Sequence, residues 1–137
     1  MPVDSTLEIK GEYPYSRYMS FFSYNERGKP IGSLTDFQIQ SKATNPFILG
    51  NQRSDLSRSY SIEVVNKNPL SDLSVSTDNP NRNILFTPEY RKNQQLVVYR
   101  IYLPDKNIDI TGGVKLPQPV LTLSDGSKLV GEETCET

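Results

Sequence analysis

No window of about eleven or more residues in this chain keeps the 3.6-residue apolar period of an amphipathic helix, and ten Pro and eight Gly fall at turn-like intervals. Short strands joined by turns are what such a sequence can build. Ser59 to Asn66 sets Tyr60, Ile62 and Val64 on one face against Ser61 and Glu63 on the other, which is a half-buried strand. Leu96 to Leu103 is the strongest strand by propensity, rich in Val, Tyr and Ile and closed by Pro104.

Weaker strands fill the gaps. Leu7 and Ile9 open the chain, and Tyr13 to Tyr24 carries aromatics on both faces, with Tyr18, Ser20, Phe22 and Tyr24 on one side and Arg17, Met19, Phe21 and Ser23 on the other; this places it in the middle of a sheet. After a turn at Asn25 to Pro30, a strand is expected around Asp36 to Gln40. Ser41 to Arg58 reads as a long loop anchored by Phe47, Ile48 and Leu49. Lys67 to Arg82 is a second long connection with a short strand at Leu73 to Ser76. Asn83 to Thr87 is another short strand, and Glu89 to Gln94 is expected to form one helical turn. Pro119 to Leu123 and Lys128 to Val130 flank an Asp125-Gly126 hairpin signal. The expected fold is all-β: an antiparallel β-sandwich or jelly roll of six to eight short strands with two long loops, in one domain over residues 1–137. A small barrel is the alternative.

The bulk numbers agree with one thin core. The chain of 137 residues is 35% hydrophobic, below the usual share, which suits thin layers and long polar loops. Fifteen basic against sixteen acidic residues leave a net charge of −1, so no global field draws in nucleic acid. No apolar run approaches the roughly 20 residues of a membrane-spanning helix. The given residues hold no signal peptide, and the abrupt start and end lead us to expect a fragment of a longer protein. His is absent, which removes His-based acid–base catalysis and His-ligated metal sites from this chain. The single Cys135 is either a spare thiol or half of a disulfide to a Cys elsewhere.

Three groups of residues carry chemical possibilities. Asp105, Asn107 and Asp109 follow the strongest strand with the 1, 3, 5 spacing that begins a calcium loop, although Ile110 and Leu116 occupy the positions where such a loop needs Gly and Glu. The loop is thus a candidate calcium site or a polar turn built on Asx hydrogen bonds. Tyr13, Tyr15 and Tyr18 are clustered enough to line a carbohydrate or peptide groove, or else to cover the sheet with their hydroxyls wet. Arg17, Arg58 and Arg100 each sit in or beside a strand near a Tyr and would form an anion site if they converged on one face. Alternation places Arg100 with Leu96, Val98 and Tyr102 on an otherwise apolar face, so a buried ion pair with Glu63 or Asp36 is the competing expectation.

The segments Arg17-Tyr18-Met19-Ser20-Phe21 with Tyr24, Asn45-Pro46-Phe47, Arg58-Ser59-Tyr60, and Tyr99 through Asp105 and Thr111-Gly112-Gly113 to Leu116-Pro117 resemble a group of uncharacterised bacterial exported proteins. More distantly the chain is similar to β-sandwich domains of unknown function whose strands read as Tyr-Trp-Ser, Arg-Tyr-Ser and Leu-Arg-Leu-Tyr types. The resemblance implies a sandwich in a periplasmic or secreted protein, and it brings no catalytic residue, cofactor or substrate. The expected function is a non-catalytic binding or interaction module of a bacterial envelope or secreted protein, with an unknown protein or carbohydrate as partner. The alternative is a hydrolase acting on glycan through two carboxylates about 5 to 9 Å apart.

Overall fold

The computed structural model describes residues 5–41, 43–66, 83–91 and 94–136. Eight strands run in chain order: β1 (Thr6–Glu12), β2 (Ser16–Tyr24), β3 (Pro30–Thr35), β4 (Ser59–Val65), β5 (Ile84–Phe86), β6 (Leu96–Pro104), β7 (Gln118–Thr122) and β8 (Lys128–Val130). They form a five-stranded sheet ordered β5-β4-β1-β7-β8 and a three-stranded sheet ordered β3-β2-β6. The fold is a β-sandwich. The expected strand at Leu73 to Ser76 lies outside the described residues, as does the side chain of Cys135.

Register follows from the apolar pattern. Leu7 of β1 is opposite Val64 of β4 and Leu121 of β7, and Ile9 is opposite Ile62, so the inward residues of three strands line up. A slip of one residue would carry all of them to solvent, which is why the register is fixed. In the other sheet Met19 is opposite Ile101 and Phe21 opposite Tyr99. Between the sheets lie Ile9, Tyr13, Met19, Phe21, Leu34, Ile39, Tyr60, Ile62, Val64 and Leu85, with Phe47, Val97 and Tyr99 packed against them. Each fully buried Phe, Met, Ile or Leu here contributes about 1.5–3 kcal/mol of transfer free energy.

Several local expectations change. The strand around Asp36 to Gln40 is replaced by an earlier one, β3, ended by a 3-10 turn at Asp36–Gln38. The Gln38 side-chain oxygen accepts from the Thr35 backbone N–H (3.0 Å) and hydroxyl (2.9 Å), which holds the turn closed. Beyond it, the Asp36 carboxylate accepts the Met19 N–H at 3.2 Å and so takes the place of the next β3 carbonyl beside β2. Of the expected loop anchors only Phe47 packs on the core; Ile48 is partly exposed and Leu49 fully so, because the Asn45 to Asn51 stretch turns on itself through Asn45. Where one helical turn is expected over Glu89 to Gln94, Arg91 and Gln94 form a β-bridge, and Gln94 N–H donates to the Arg91 carbonyl; residues 92–93 lie outside the described residues. One strand pair, β4 with β5, is parallel rather than antiparallel.

The two long sides of the sandwich differ. At one, Ser23 of β2 donates its hydroxyl to the Phe86 carbonyl of β5 (2.5 Å) and accepts the Gly32 N–H of β3 (2.9 Å), tying the two sheets together. Gly32 is required there, since a Cβ would run into the Phe86 carbonyl oxygen. At the other side stands β6, which among the described residues pairs with β2 alone, and none of whose residues is buried.

Candidate functional site

The chain passes from β1 to β2 through Tyr13, Pro14 and Tyr15, and this corner gathers many of the residues that the sequence singles out. Tyr13 is fully buried, in ring contact with Tyr60 (centroids 4.9 Å apart) and Phe47 (6.2 Å), and its hydroxyl donates to the Ile39 carbonyl at 3.2 Å. Burial pushes that phenol up from its ordinary pKa. Arg58 is also buried, at 4% exposure. Its guanidinium donates to four backbone carbonyls: Tyr13 (2.7 Å), Arg53 (2.6 Å), Asp55 (2.9 Å) and Pro14 (3.2 Å). Its planar centre lies 3.8 Å from the Tyr15 ring centroid. A guanidinium bonded in this way is a clamp on the corner, with four of its five donors committed.

The loop after β6 covers the same corner from the other side. Asp105 N–H donates to the Tyr15 carbonyl (2.9 Å), and Tyr15 N–H donates to the Gly112 carbonyl (2.7 Å). Gly112 has φ +77° and sits against Pro14, so neither its conformation nor its space admits a side chain. Arg53 pairs with Asp105 at 3.2 Å and donates to the Ser16 carbonyl at 2.8 Å. Asp109 Oδ1 accepts from the Thr111 N–H and hydroxyl and from the Gly113 N–H, which holds its carboxyl below the usual range. Asn107 takes the left-handed conformation (φ 67°). This is the Asx-turn arrangement. Among the described residues no three His, Cys, Asp or Glu side chains gather closely enough to hold a metal ion.

The three arginines do not converge. Arg58 lies inside the corner, whereas Arg17 and Arg100 are exposed. The expected burial of Arg100 against Glu63 or Asp36 is wrong for a clear reason: Val97, Tyr99 and Ile101 face the core, so Leu96, Val98, Arg100 and Tyr102 face outward, with Val98 37% and Tyr102 57% exposed. Glu63 is itself exposed on β4. Asp36 is buried and bonded to the backbone N–H groups of Met19 and Phe37, with burial holding its carboxyl above the usual range. Tyr13, Tyr15 and Tyr18 likewise part company, one to the core, one to the corner and one to the outer face of the three-stranded sheet.

That outer face is where exposed aromatic area collects. Cross-strand register sets Tyr18 beside Tyr102, Ser20 beside Arg100 and Thr35, Phe22 beside Val98 and Ser33, and Tyr24 beside Leu96. Directly opposed side chains of this kind lie about 4.5–5.5 Å apart at Cβ, so Tyr18 and Tyr102 are cross-strand neighbours on this face. Ser20 in the middle is buried under its longer neighbours, and its hydroxyl has no hydrogen-bond partner. Alternation in β2 had this face written out; what the sequence missed was that β6 adds its outward row to it. Arg53 was missed as well, and its only signal was a position in a long loop.

Two further features lie away from the corner and the outer face. A shallow, open depression of about 320 Å³ lies where Lys115 and Leu116 rise beside Lys10, Glu12 and Gln118 of the five-stranded sheet. Inside the sandwich, the Tyr60 and Tyr99 hydroxyls are close enough to perturb each other but lack hydrogen-bond geometry with any group; burial pushes both up, Tyr99 to about 12. Among the described residues no helix is long and apolar enough to cross a membrane. No protein-family model, curated protein or solved structure matches the chain.

Proposed function

We propose that this chain is a non-catalytic binding module that holds its ligand on the outer face of the three-stranded sheet. The observation that carries the reading is the in-register row Tyr18–Tyr102, Ser20–Arg100 and Phe22–Val98: stacking surface at both ends and a guanidinium with hydroxyls between. Aromatic faces of this sort stack on sugar rings while Ser33, Thr35 and Arg100 orient hydroxyl groups, so a carbohydrate chain is the ligand class that fits. The half-buried Leu96 and the more exposed Val98 at one end support a second reading, in which the ligand is a protein surface. The sequence resemblance alone supports placing the module in a bacterial envelope or secreted protein.

Against the carboxylate hydrolase stands the engagement of the acidic groups. Asp55, Asp109 and Asp125 each spend an oxygen on neighbouring N–H or hydroxyl donors in turns, and Asp36 is buried beside β2. The chain has no Trp, so its fluorescence comes from eight Tyr, of which Tyr18, Tyr24 and Tyr102 lie on this face. Titration with a panel of soluble oligosaccharides is expected to change that fluorescence, and Tyr102→Ala is expected to weaken binding by roughly 1–3 kcal/mol of lost stacking. Equal affinity of wild type and Tyr102→Ala for every ligand bound would remove the face from consideration.

A further inference from the structure

We infer that β6 is a self-complementary edge along which two copies of this chain join, continuing the three-stranded sheet across a two-fold axis. The inference stands apart from the ligand reading, since it concerns the strand's edge and not what lies on the face. Sheet edges are liabilities that folds blunt by shortness, Pro, charge or a covering segment. Three of the four edges here are blunted. β5 and β8 span only Ile84–Phe86 and Lys128–Val130, and β3 begins at Pro30 and is tied to the other sheet through Gly32 and Ser23. β6 runs from Leu96 to Pro104, pairs with β2 only among the described residues, and carries a single charge, Arg100.

The burial of β6 shows the same openness. In β2 the inward Met19, Phe21 and Ser23 are fully buried, but their β6 partners Ile101, Tyr99 and Val97 all stay partly exposed. The five-stranded sheet extends past β1 to β7 and β8, with no fourth strand beside β6 in the opposing sheet among the described residues. A strand added there would therefore meet both an unpaired backbone edge and an uncovered strip of the inner face.

A second copy fits that place in one register above others. Centring an antiparallel β6 pair on Arg100 would oppose two like charges, which is destabilising. Centring it on Tyr99 opposes Arg100 to Val98 twice, Leu96 to Tyr102 on the outer face and Val97 to Ile101 on the inner one, overlapping from Leu96 to Tyr102. Every opposed pair then joins apolar or aromatic groups, or an Arg stem with Val. A two-fold contact of identical patches is the commonest way for soluble chains to pair, and a net charge of −1 offers little repulsion between copies. A contact confined to one strand edge of each copy is small beside specific interfaces, so a weak dimer is expected, dissociating in roughly the micromolar range.

Sedimentation velocity from roughly 1 to 300 µM tests this, since that range brackets a weak dimer. Wild type is expected to pass from monomer to dimer. Val98→Lys places Lys against Arg100 of the other copy at two points and is expected to weaken the dimer about tenfold or more; Val98→Glu makes the same contacts attractive and is expected to tighten it by a similar factor. Val98→Lys with Arg100→Glu should restore it. Val98 is already partly exposed, and a gain by Val98→Glu is an effect that misfolding cannot imitate. A wild type that stays monomeric throughout, including one that instead takes up an unrelated extended peptide, overturns the inference. So does a dimer indifferent to all three variants.

Discussion

Replacing Arg58 and Arg100 in turn by Met separates a buried guanidinium from an exposed one on the same scaffold. Arg58 donates to four carbonyls, of which those of Tyr13 and Pro14 lie in the interior and those of Arg53 and Asp55 lie near the surface. Without Arg58, water can reach the outer pair but not the inner pair. Each inner carbonyl loses a charge-assisted bond worth about 1.5–3 kcal/mol, and the Tyr15 ring loses its cationic partner. Met recovers part of the packing, so a net cost of about 3–5 kcal/mol is expected. Arg100 touches none of these groups, and its loss is expected to cost under about 0.5 kcal/mol.

Urea unfolding followed by circular dichroism reads both. With a slope of roughly 2 kcal/mol per molar, Arg58→Met lowers the midpoint by about 2 M and Arg100→Met leaves it in place. Arg58→Lys keeps the charge but not the fork, and should fall between wild type and Met. An Arg58→Met variant within about 1 kcal/mol of wild type would refute the clamp, since no folded arrangement could then be spending four bonds on that residue. Should Arg58→Met fail to fold, the ordering of Arg58→Lys against Arg100→Met carries the same decision.

Asp36 has its folded pKa raised chiefly by burial, so the folded state holds the proton more tightly than the unfolded one. Its contribution to stability is therefore present below the ordinary carboxylate pKa and lost as pH rises through the raised value. Asp36→Asn, which keeps an oxygen for the Met19 N–H, is expected to match or exceed wild type at pH 7 and to lose that advantage in acid, as thermal melts at pH 3 and pH 7 would show. The Tyr60 hydroxyl is buried without a partner, so Tyr60→Phe should raise stability by about 1 kcal/mol in urea unfolding; a loss of that size would mean that the hydroxyl is bonded after all. Gly32→Ala pushes a methyl at the Phe86 carbonyl and should cost about 2 kcal/mol or more, measured the same way.

The legibility of the sequence depended on how many faces of a strand were apolar. In β4 only Tyr60, Ile62 and Val64 are apolar until the last residue, so the buried side declares itself and the structure buries those three. In β6 both rows are apolar: Leu96, Val98 and Tyr102 on one side, Val97, Tyr99 and Ile101 on the other. Alternation there gives two equal answers, and the sequence reading took the outward row for the core, with Arg100 buried in it. Thr35 to Gln38 carries a capping signal that stops β3, but Phe37 and Ile39 imitate a strand and hid it. The burial of Arg58 had no local signal, because its partners at Tyr13 and Pro14 are set by the corner between the two sheets. Nor did the parallel pairing of β4 and β5, since the residues of a three-residue strand do not encode its direction.

The two apolar rows of β6 also bear on function. A strand at the rim of the smaller sheet needs its inward row for the core, and β-propensity on the outward row could be met by Thr at no cost in exposed apolar area. Leu96, Val98 and Tyr102 stand there instead, beside Tyr18, Phe22 and Tyr24 of β2. Their stabilising value in the isolated chain is limited, because Tyr102 keeps 57% and Val98 37% of its surface in water. Changing both to Thr is accordingly expected to alter the urea midpoint by less than about 0.5 M while removing ligand binding to this face. If the double variant instead lost several kcal/mol of stability, the row would be framework for the sandwich, and the case for a binding face would go with it.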